Sequence, residues 1–74
     1  MEYYDHRFIE YYDTGYYRKF RMVSDYKNKL TNTTYLIFSN GKRNVYASGG
    51  FKEEALCKIF DRIDQYYLQN RKAT

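Results

Sequence analysis

Residues 33–48, TTYLIFSNGKRNVYAS, place two runs of strand-forming residues on either side of Asn40-Gly41. Asn-Gly between such runs is the strongest short signal for a β-hairpin, because both positions of the tight turn favour a positive φ. The pattern predicts strands at about 33–39 and 43–48. The first of these strands is apolar on both faces, as expected of a central strand. Its alternating side chains are Tyr35 and Ile37 against Leu36 and Phe38.

A helix follows this hairpin, after a break at Ser48, Gly49 and Gly50. Its apolar side chains recur at helical spacing and form one stripe. They are Leu56, Ile59, Phe60, Ile63 and Tyr67. Two glutamates, Glu53 and Glu54, lie in the first turn, where the helix dipole favours anions. The helix is predicted at about residues 51–70.

Upstream, residues 7–23 (RFIEYYDTGYYRKFRMV) have the pattern of a second hairpin. Asp13-Thr14-Gly15 suits a three-residue loop with glycine in the left-handed conformation. Strands are predicted at about 6–12 and 16–24, followed by a polar, basic loop at 25–32. A short helix is the alternative for the first run, since Tyr4, Phe8 and Tyr11 also fit helical spacing.

These elements predict a single α+β domain over residues 1–74. We expect an antiparallel sheet of three to four strands, built from two hairpins, with one C-terminal helix packed on one face. The other face of the sheet would be open.

Tyr-Tyr pairs are expected to place one ring on each side of this sheet, because side chains alternate across a strand. In the strand at 16–24, Tyr16, Phe20 and Met22 would face the core. Tyr17, Lys19 and Arg21 would share the open face, joined there by Tyr46.

The net charge of +4 is concentrated in residues 16–52, which hold eight Lys and Arg against one Asp. A basic middle segment indicates an acidic partner, either nucleic acid or protein. The open face and the basic loops therefore supply the predicted partner-binding residues. They are Tyr17, Lys19, Arg21, Lys27, Lys29, Lys42, Arg43 and Tyr46.

No catalytic, cofactor or metal site is predicted. His6 is the only histidine, and its spacing to Asp5 and Glu10 matches no established ligand pattern. Gly49-Gly50 before a helix could cradle a phosphate, but a simple turn is favoured because no P-loop Lys-Ser or Lys-Thr follows. Asp61 and Asp64 are expected on the solvated face of the helix.

Cellular location follows from what the sequence lacks. The single Cys57 cannot form an internal disulfide, and the first residues do not have the pattern of a signal peptide. No apolar run approaches the length of about 20 residues that crosses a bilayer. A cytoplasmic protein without membrane contact is expected.

Residues 45–63, VYASGGFKEEALCKIFDRI, resemble the last strand and helix of phage-integrase arm-binding domains. Those domains also place a glycine-rich turn and a Phe before a helix that opens with Glu-Glu-Ala. Because that family binds DNA through its three-stranded sheet, the resemblance implies DNA binding.

In size and in its Tyr-, Asn- and Lys-rich composition, the chain also resembles small phage and mobile-element proteins, many of which are anti-defence inhibitors such as anti-CRISPR proteins. This resemblance implies a non-enzymatic inhibitor that occludes a surface of a host nucleoprotein defence complex, and it is our first functional expectation. The alternative is a small DNA- or RNA-binding module that uses the basic, Tyr-rich sheet face. A third interpretation is a homodimer closed through the open face.

Overall fold

The computed structural model describes residues 6–73, with side chains described for 6–69. Their elements are α1 (His6–Thr14), β1 (Arg21–Asn28), β2 (Thr33–Ser39), β3 (Asn44–Gly49) and α2 (Lys52–Ala73). The strands of this region form one antiparallel sheet in the order β1-β2-β3, with β2 in the centre. The predicted α+β class is confirmed. The structure also has a helix, α1, before the sheet, whereas a single C-terminal helix was expected.

The helix α2 forms where its apolar stripe predicts it. Four stripe side chains are completely buried: Leu56, Ile59, Phe60 and Ile63. The Glu54 carboxylate accepts a hydrogen bond from the Gly50 N–H at 2.8 Å, which stabilises the first turn. The same carboxylate lies 3.8 Å from Lys58 Nζ, one turn along the helix.

The β2–β3 hairpin also forms as predicted, with β2 at the expected residues and β3 shifted by one. The Asn40 side-chain oxygen accepts hydrogen bonds from the backbone N–H groups of Lys42 and Arg43, at 2.9 and 2.7 Å. Of the two positions expected to have positive φ, only Gly41 does, at 94°, which a glycine tolerates without strain. Because Arg43 belongs to this turn, β3 begins at Asn44.

The first run forms a helix, so the strand predicted at 6–12 is wrong and the helical alternative is confirmed. Phe8 and Tyr11 lie on one side of α1 and contact the Phe60 ring, with centroid distances of 5.3 and 6.1 Å. Gly15 takes the left-handed conformation as predicted, but it ends a helix: its N–H donates to the Tyr11 carbonyl. Tyr4, part of the predicted helical spacing, lies outside the described residues.

A tight turn at Tyr17–Phe20 replaces the first half of the strand predicted at 16–24. Arg18 and Lys19 both have positive φ, 50° and 76°, and the backbones of Tyr17 and Phe20 exchange two hydrogen bonds across the turn. Both outer residues consequently point into the core.

The strand β1 therefore starts later than predicted and extends through Asn28. The predicted loop at 25–32 shrinks to the turn at 29–32. Near its start, β1 contains a bulge at Val23, since Met22 pairs with Phe38 and Ser24 pairs with the next residue, Ile37.

The core lies between the two helices and one face of the sheet, which we call the closed face. The strands β2 and β3 contribute Leu36, Phe38, Val45 and Ala47. The opposite side of the sheet is called the open face; α2 approaches it at the β3 edge, where the Arg62 guanidinium carbon lies 6.0 Å from the centre of the Tyr46 ring.

Candidate contact surface

The open face consists of the strand side chains on the side of the sheet opposite the core. Cross-strand partners in the register share a face, so the alternation in β2 assigns each paired residue. Val23 lies in the bulge and has no partner, and it is grouped with Arg21 and Ser39 because the three line one depression. None of these strand residues is Asp or Glu. They are Arg21, Val23, Ser24, Tyr26, Asn28, Thr33, Tyr35, Ile37, Ser39, Asn44, Tyr46 and Ser48.

Four side chains form a continuous row across this face, and we call them the aromatic row: Tyr26, Tyr35, Ile37 and Tyr46. The register places Tyr26 beside Tyr35 and Ile37 beside Tyr46. The rings of Tyr26 and Tyr35 stack, with centroids 6.1 Å apart and planes at 27°. Tyr26 is 60% exposed, Tyr35 43% and Tyr46 70%. Contiguous exposed apolar side chains of this kind mark contact sites.

Cations flank the aromatic row at both ends of the sheet. Lys19 and Arg21 line a shallow depression beside the β2–β3 turn, which itself carries Lys42. Lys29 lies in the turn at the opposite end. The surface is thus neutral and aromatic in its middle and positive at its ends.

The remaining predicted contact residues lie elsewhere. Lys27 is opposite Thr34 and therefore belongs to the other side of β1, although its side chain is exposed. Arg43 turns toward α2, with its guanidinium carbon 5.3 Å from the centre of the Tyr66 ring. The sequence therefore predicted residues of two surfaces as though they were one.

The predicted position of Tyr17 on the open face is wrong. Its side chain is only 5% exposed, its ring centre lies 4.5 Å from that of Phe60, and its hydroxyl donates to Asp64 Oδ1 at 2.6 Å. Burial, together with this hydrogen bond, raises the pKa of Tyr17. Tyr16, which was predicted in the core, is exposed. The turn at Tyr17–Phe20 causes the exchange, because it interrupts the strand alternation.

Asp64 joins three elements and is not simply solvated, contrary to expectation. Besides Tyr17, its carboxylate binds Arg18 from the turn at 3.0 Å and Arg7 from α1 at 3.1 Å. Arg7 also reaches Asp61 at 2.8 Å. These charge-assisted hydrogen bonds hold α1 and the turn against α2. This cluster of ion pairs therefore connects α1 and the turn to α2.

Tyr26 is a member of the aromatic row that the sequence did not predict for this surface, because the sequence pattern placed it in a loop. A usable signal was the length of the next strand. A seven-residue β2 needs a partner of similar length, and pairing that continues to Asn28 brings Tyr26 beside Tyr35.

Other chemistry is limited in the part of the chain that the structure describes. The Gly50 N–H that could bind a phosphate is occupied by the Glu54 carboxylate. Within residues 6–69, no three His, Cys, Asp or Glu side chains gather as a metal site would require. None of the described helices has the length and apolar character needed to cross a membrane.

No protein-family model matches this chain, and no match was found among curated proteins or solved structures. The resemblances to integrase arm-binding domains and to anti-CRISPR proteins therefore stay predictions.

Proposed function

We propose that this protein is a non-enzymatic binding module whose contact surface is the open face, and that it acts as a phage or mobile-element inhibitor. Its target would be a surface of a host nucleoprotein defence complex. The observation that supports this proposal is the aromatic row, which exposes three tyrosines on a rigid sheet with no carboxylate among them. Tyrosine supplies large contact area at low entropic cost, so such rows suit binding by shape and apolar contact.

An inhibition assay tests this proposal. Purified RNA-guided nuclease complexes are mixed with the protein, and cleavage of target DNA is measured. We expect inhibition near equimolar protein, and loss of inhibition when Tyr26→Ser and Tyr35→Ser are combined. Tyr12→Ser is the matched control, since Tyr12 is exposed on α1 and not on the open face. Equal inhibition by the double variant and the wild type would contradict the open face as the contact surface.

The second candidate is a nucleic-acid-binding module that uses the same face. The specific observation in its favour is the position of Lys19, Arg21, Lys42 and Lys29 at the two ends of the aromatic row. Lysine and arginine neutralise phosphates, and exposed tyrosine rings can stack on bases.

Fluorescence anisotropy with labelled single- and double-stranded oligonucleotides, at low and near-physiological salt, tests this candidate. Replacing Lys19 and Arg21 with Gln should make the logarithmic salt dependence shallower by about 1.5, because two phosphate contacts disappear. Lys52→Gln with Lys58→Gln, on α2, changes the net charge equally and should leave that slope unchanged. Failure to bind at low salt would rule out this candidate.

A homodimer through the open face is the remaining proposal for this surface. Sedimentation equilibrium distinguishes it: a monomer at all concentrations would exclude it, and dimerisation that Tyr46→Ser abolishes would support it.

A further inference from the structure

The outer edge of β3 offers unpaired backbone groups. In the described sheet β3 pairs only with β2. The Asn40 N–H donates to the Arg43 carbonyl, which makes these two residues a hydrogen-bonded pair. Since hydrogen-bonded and non-hydrogen-bonded pairs alternate along an antiparallel ladder, the N–H and C=O groups of Asn44, Tyr46 and Ser48 point away from β2.

A cleft of about 380 Å³ lies between this edge and α2. Val45 and Tyr46 border it on the strand side, and Gln65 and Tyr66 border it on the helix side. A groove between an edge strand and a helix is the geometry in which an extended peptide adds to a sheet: its backbone bonds to the strand, and alternate side chains enter the groove. We call this groove the edge cleft.

The charge of the edge cleft indicates which kind of peptide segment the cleft can bind. Arg43 and Arg62 both line it, and neither is paired with a carboxylate among the described residues. The one acidic side chain in the lining, Asp61, is neutralised by Arg7 at 2.8 Å. The guanidinium carbons lie over the rings of Tyr66 and Tyr46, at 5.3 and 6.0 Å. Two positioned cations with five donors each suit carboxylates.

We propose that the edge cleft binds an extended, acidic segment of a protein partner by strand addition to β3. The segment pairs with Asn44, Tyr46 and Ser48, and its carboxylates meet Arg43 and Arg62. The edge cleft shares Tyr46 with the open face but uses the backbone edge of β3 and the two arginines, so the proposal does not depend on the function proposed above.

Other occupants fit the edge cleft less well. A second copy of the chain paired edge to edge through β3 would bring no carboxylate from that strand to Arg43 and Arg62, because β3 contains no Asp or Glu. A nucleic acid would satisfy the arginines but not the alternating N–H and C=O groups of the strand. These occupants are outcomes of the following test.

The test uses labelled peptides of about eight residues, a common strand length, and measures fluorescence anisotropy on the intact protein. The first probe alternates valine and glutamate, the second alternates valine and lysine, and the third is the glutamate peptide with every backbone nitrogen methylated. We expect the glutamate peptide to bind at least about tenfold more tightly than either of the others. N-methylation keeps the charge but prevents strand pairing, so it separates strand addition from simple charge attraction.

Variants of the protein give a second, independent readout. Tyr46→Pro removes one outward N–H without removing a β2–β3 hydrogen bond, and Tyr46→Ala removes the same ring but keeps the N–H. The proline variant should bind the glutamate peptide about tenfold more weakly than the alanine variant. Amide hydrogen exchange of the wild type should slow at Asn44, Tyr46 and Ser48 when the peptide binds.

Three results would overturn the proposal: no binding of the glutamate peptide, equal binding of its N-methylated form, or tighter binding of an oligonucleotide that competes with it. If Tyr46→Pro does not fold, the N-methylated peptide on wild-type protein still decides. Loss of nuclease inhibition by Tyr26→Ser with Tyr35→Ser, neither of which lines the edge cleft, together with unchanged peptide binding would show that the two surfaces act independently.

Discussion

The two faces of the sheet are built from the same strands, but one is buried and the other is exposed. In β2, Leu36 and Phe38 are buried on the closed face, and Tyr35 and Ile37 are exposed on the open face. All four side chains are largely apolar. The difference shows that apolar character alone does not select the buried face of this sheet; the positions of the helices do.

The energetic consequences of the faces also differ. On the closed face, Phe60 is surrounded by the rings of Phe8, Tyr17 and Phe38, at centroid distances of 5.3, 4.5 and 6.3 Å. On the open face, Tyr26 and Tyr35 stack on each other at the surface. We therefore expect closed-face substitutions to reduce stability and open-face substitutions to reduce binding.

Phe60→Ala should cause the largest loss, about 3–5 kcal/mol of the free energy of unfolding, because it leaves a cavity among aromatic rings. Urea denaturation measures this loss. A domain of this size has only about 4–11 kcal/mol in total, so Phe60→Leu is a milder companion variant. Tyr35→Ala is the open-face control. A loss below about 1 kcal/mol for Phe60→Ala would contradict the closed-face packing.

Gly49→Ala should destabilise by about 1–3 kcal/mol, because α2 approaches the closed face too closely for a side chain there. A Cβ at Gly49 would lie 3.0 Å from the Ala55 backbone nitrogen. At Gly50 the nearest atom would be a Glu54 carboxylate oxygen at 3.5 Å, so Gly50→Ala is the matched control and should change stability little. Thermal unfolding of both variants measures the contrast; equal effects would argue against the close approach.

Alkaline pH should lower the free energy of unfolding through deprotonation of Tyr17 on the closed face. Its pKa is raised in the folded state, first by burial and then by the hydrogen bond to Asp64. The folded state holds this proton more tightly than the unfolded chain does, so the stabilisation is complete below about pH 10 and is lost as pH rises toward the folded pKa. Burial also raises the pKa of Tyr11, which adds to the same loss.

Urea midpoints between about pH 8 and 11 measure this effect. Tyr17→Phe should lower stability at neutral pH but flatten its decline at alkaline pH. Tyr35→Phe removes a hydroxyl from the open face and should keep the wild-type slope. If the stability of Tyr17→Phe declined with pH as steeply as that of the wild type, deprotonation of Tyr17 would not be the cause of the decline.

The smallest effect is expected on the open face itself. A double-mutant cycle on Tyr26→Ala and Tyr35→Ala should give a coupling energy of about 0.2–1 kcal/mol, as for other exposed cross-strand pairs. Urea denaturation at two protein concentrations measures it. A larger coupling that rises with concentration would show that a second copy covers the open face.

The C-terminal part of the fold could be predicted because local signals and tertiary packing agree there. The stripe of α2 is long enough to define its own period, and Asn40 completes the β2–β3 turn with its own side chain. The aromatic row was only partly foreseen: Tyr46 was named, and Tyr35 and Ile37 were recognised as one face of a central strand. Tyr26 was missed because the turn that ends β1 was placed too early.

The N-terminal part could not be predicted because its signals conflict. The nine residues of α1 fit both the helical and the strand spacing of apolar side chains, and a helix of that length is marginal without packing. Contacts of Phe8 and Tyr11 with Phe60 select the helix. No local rule marks Arg18 and Lys19 for positive φ, so the strand alternation assigned Tyr16 and Tyr17 to the wrong sides.

By itself, the sequence determined α2, the hairpin of β2 and β3, and the basic middle segment, since each depends on neighbours along the chain. Only the tertiary structure decided that residues 6–14 are helical, that Tyr17 and not Tyr16 is buried, and that Asp64 connects three elements. Those outcomes depend on α2, more than 40 positions away along the chain, whose rings and carboxylates stabilise conformations that the local sequence leaves nearly balanced.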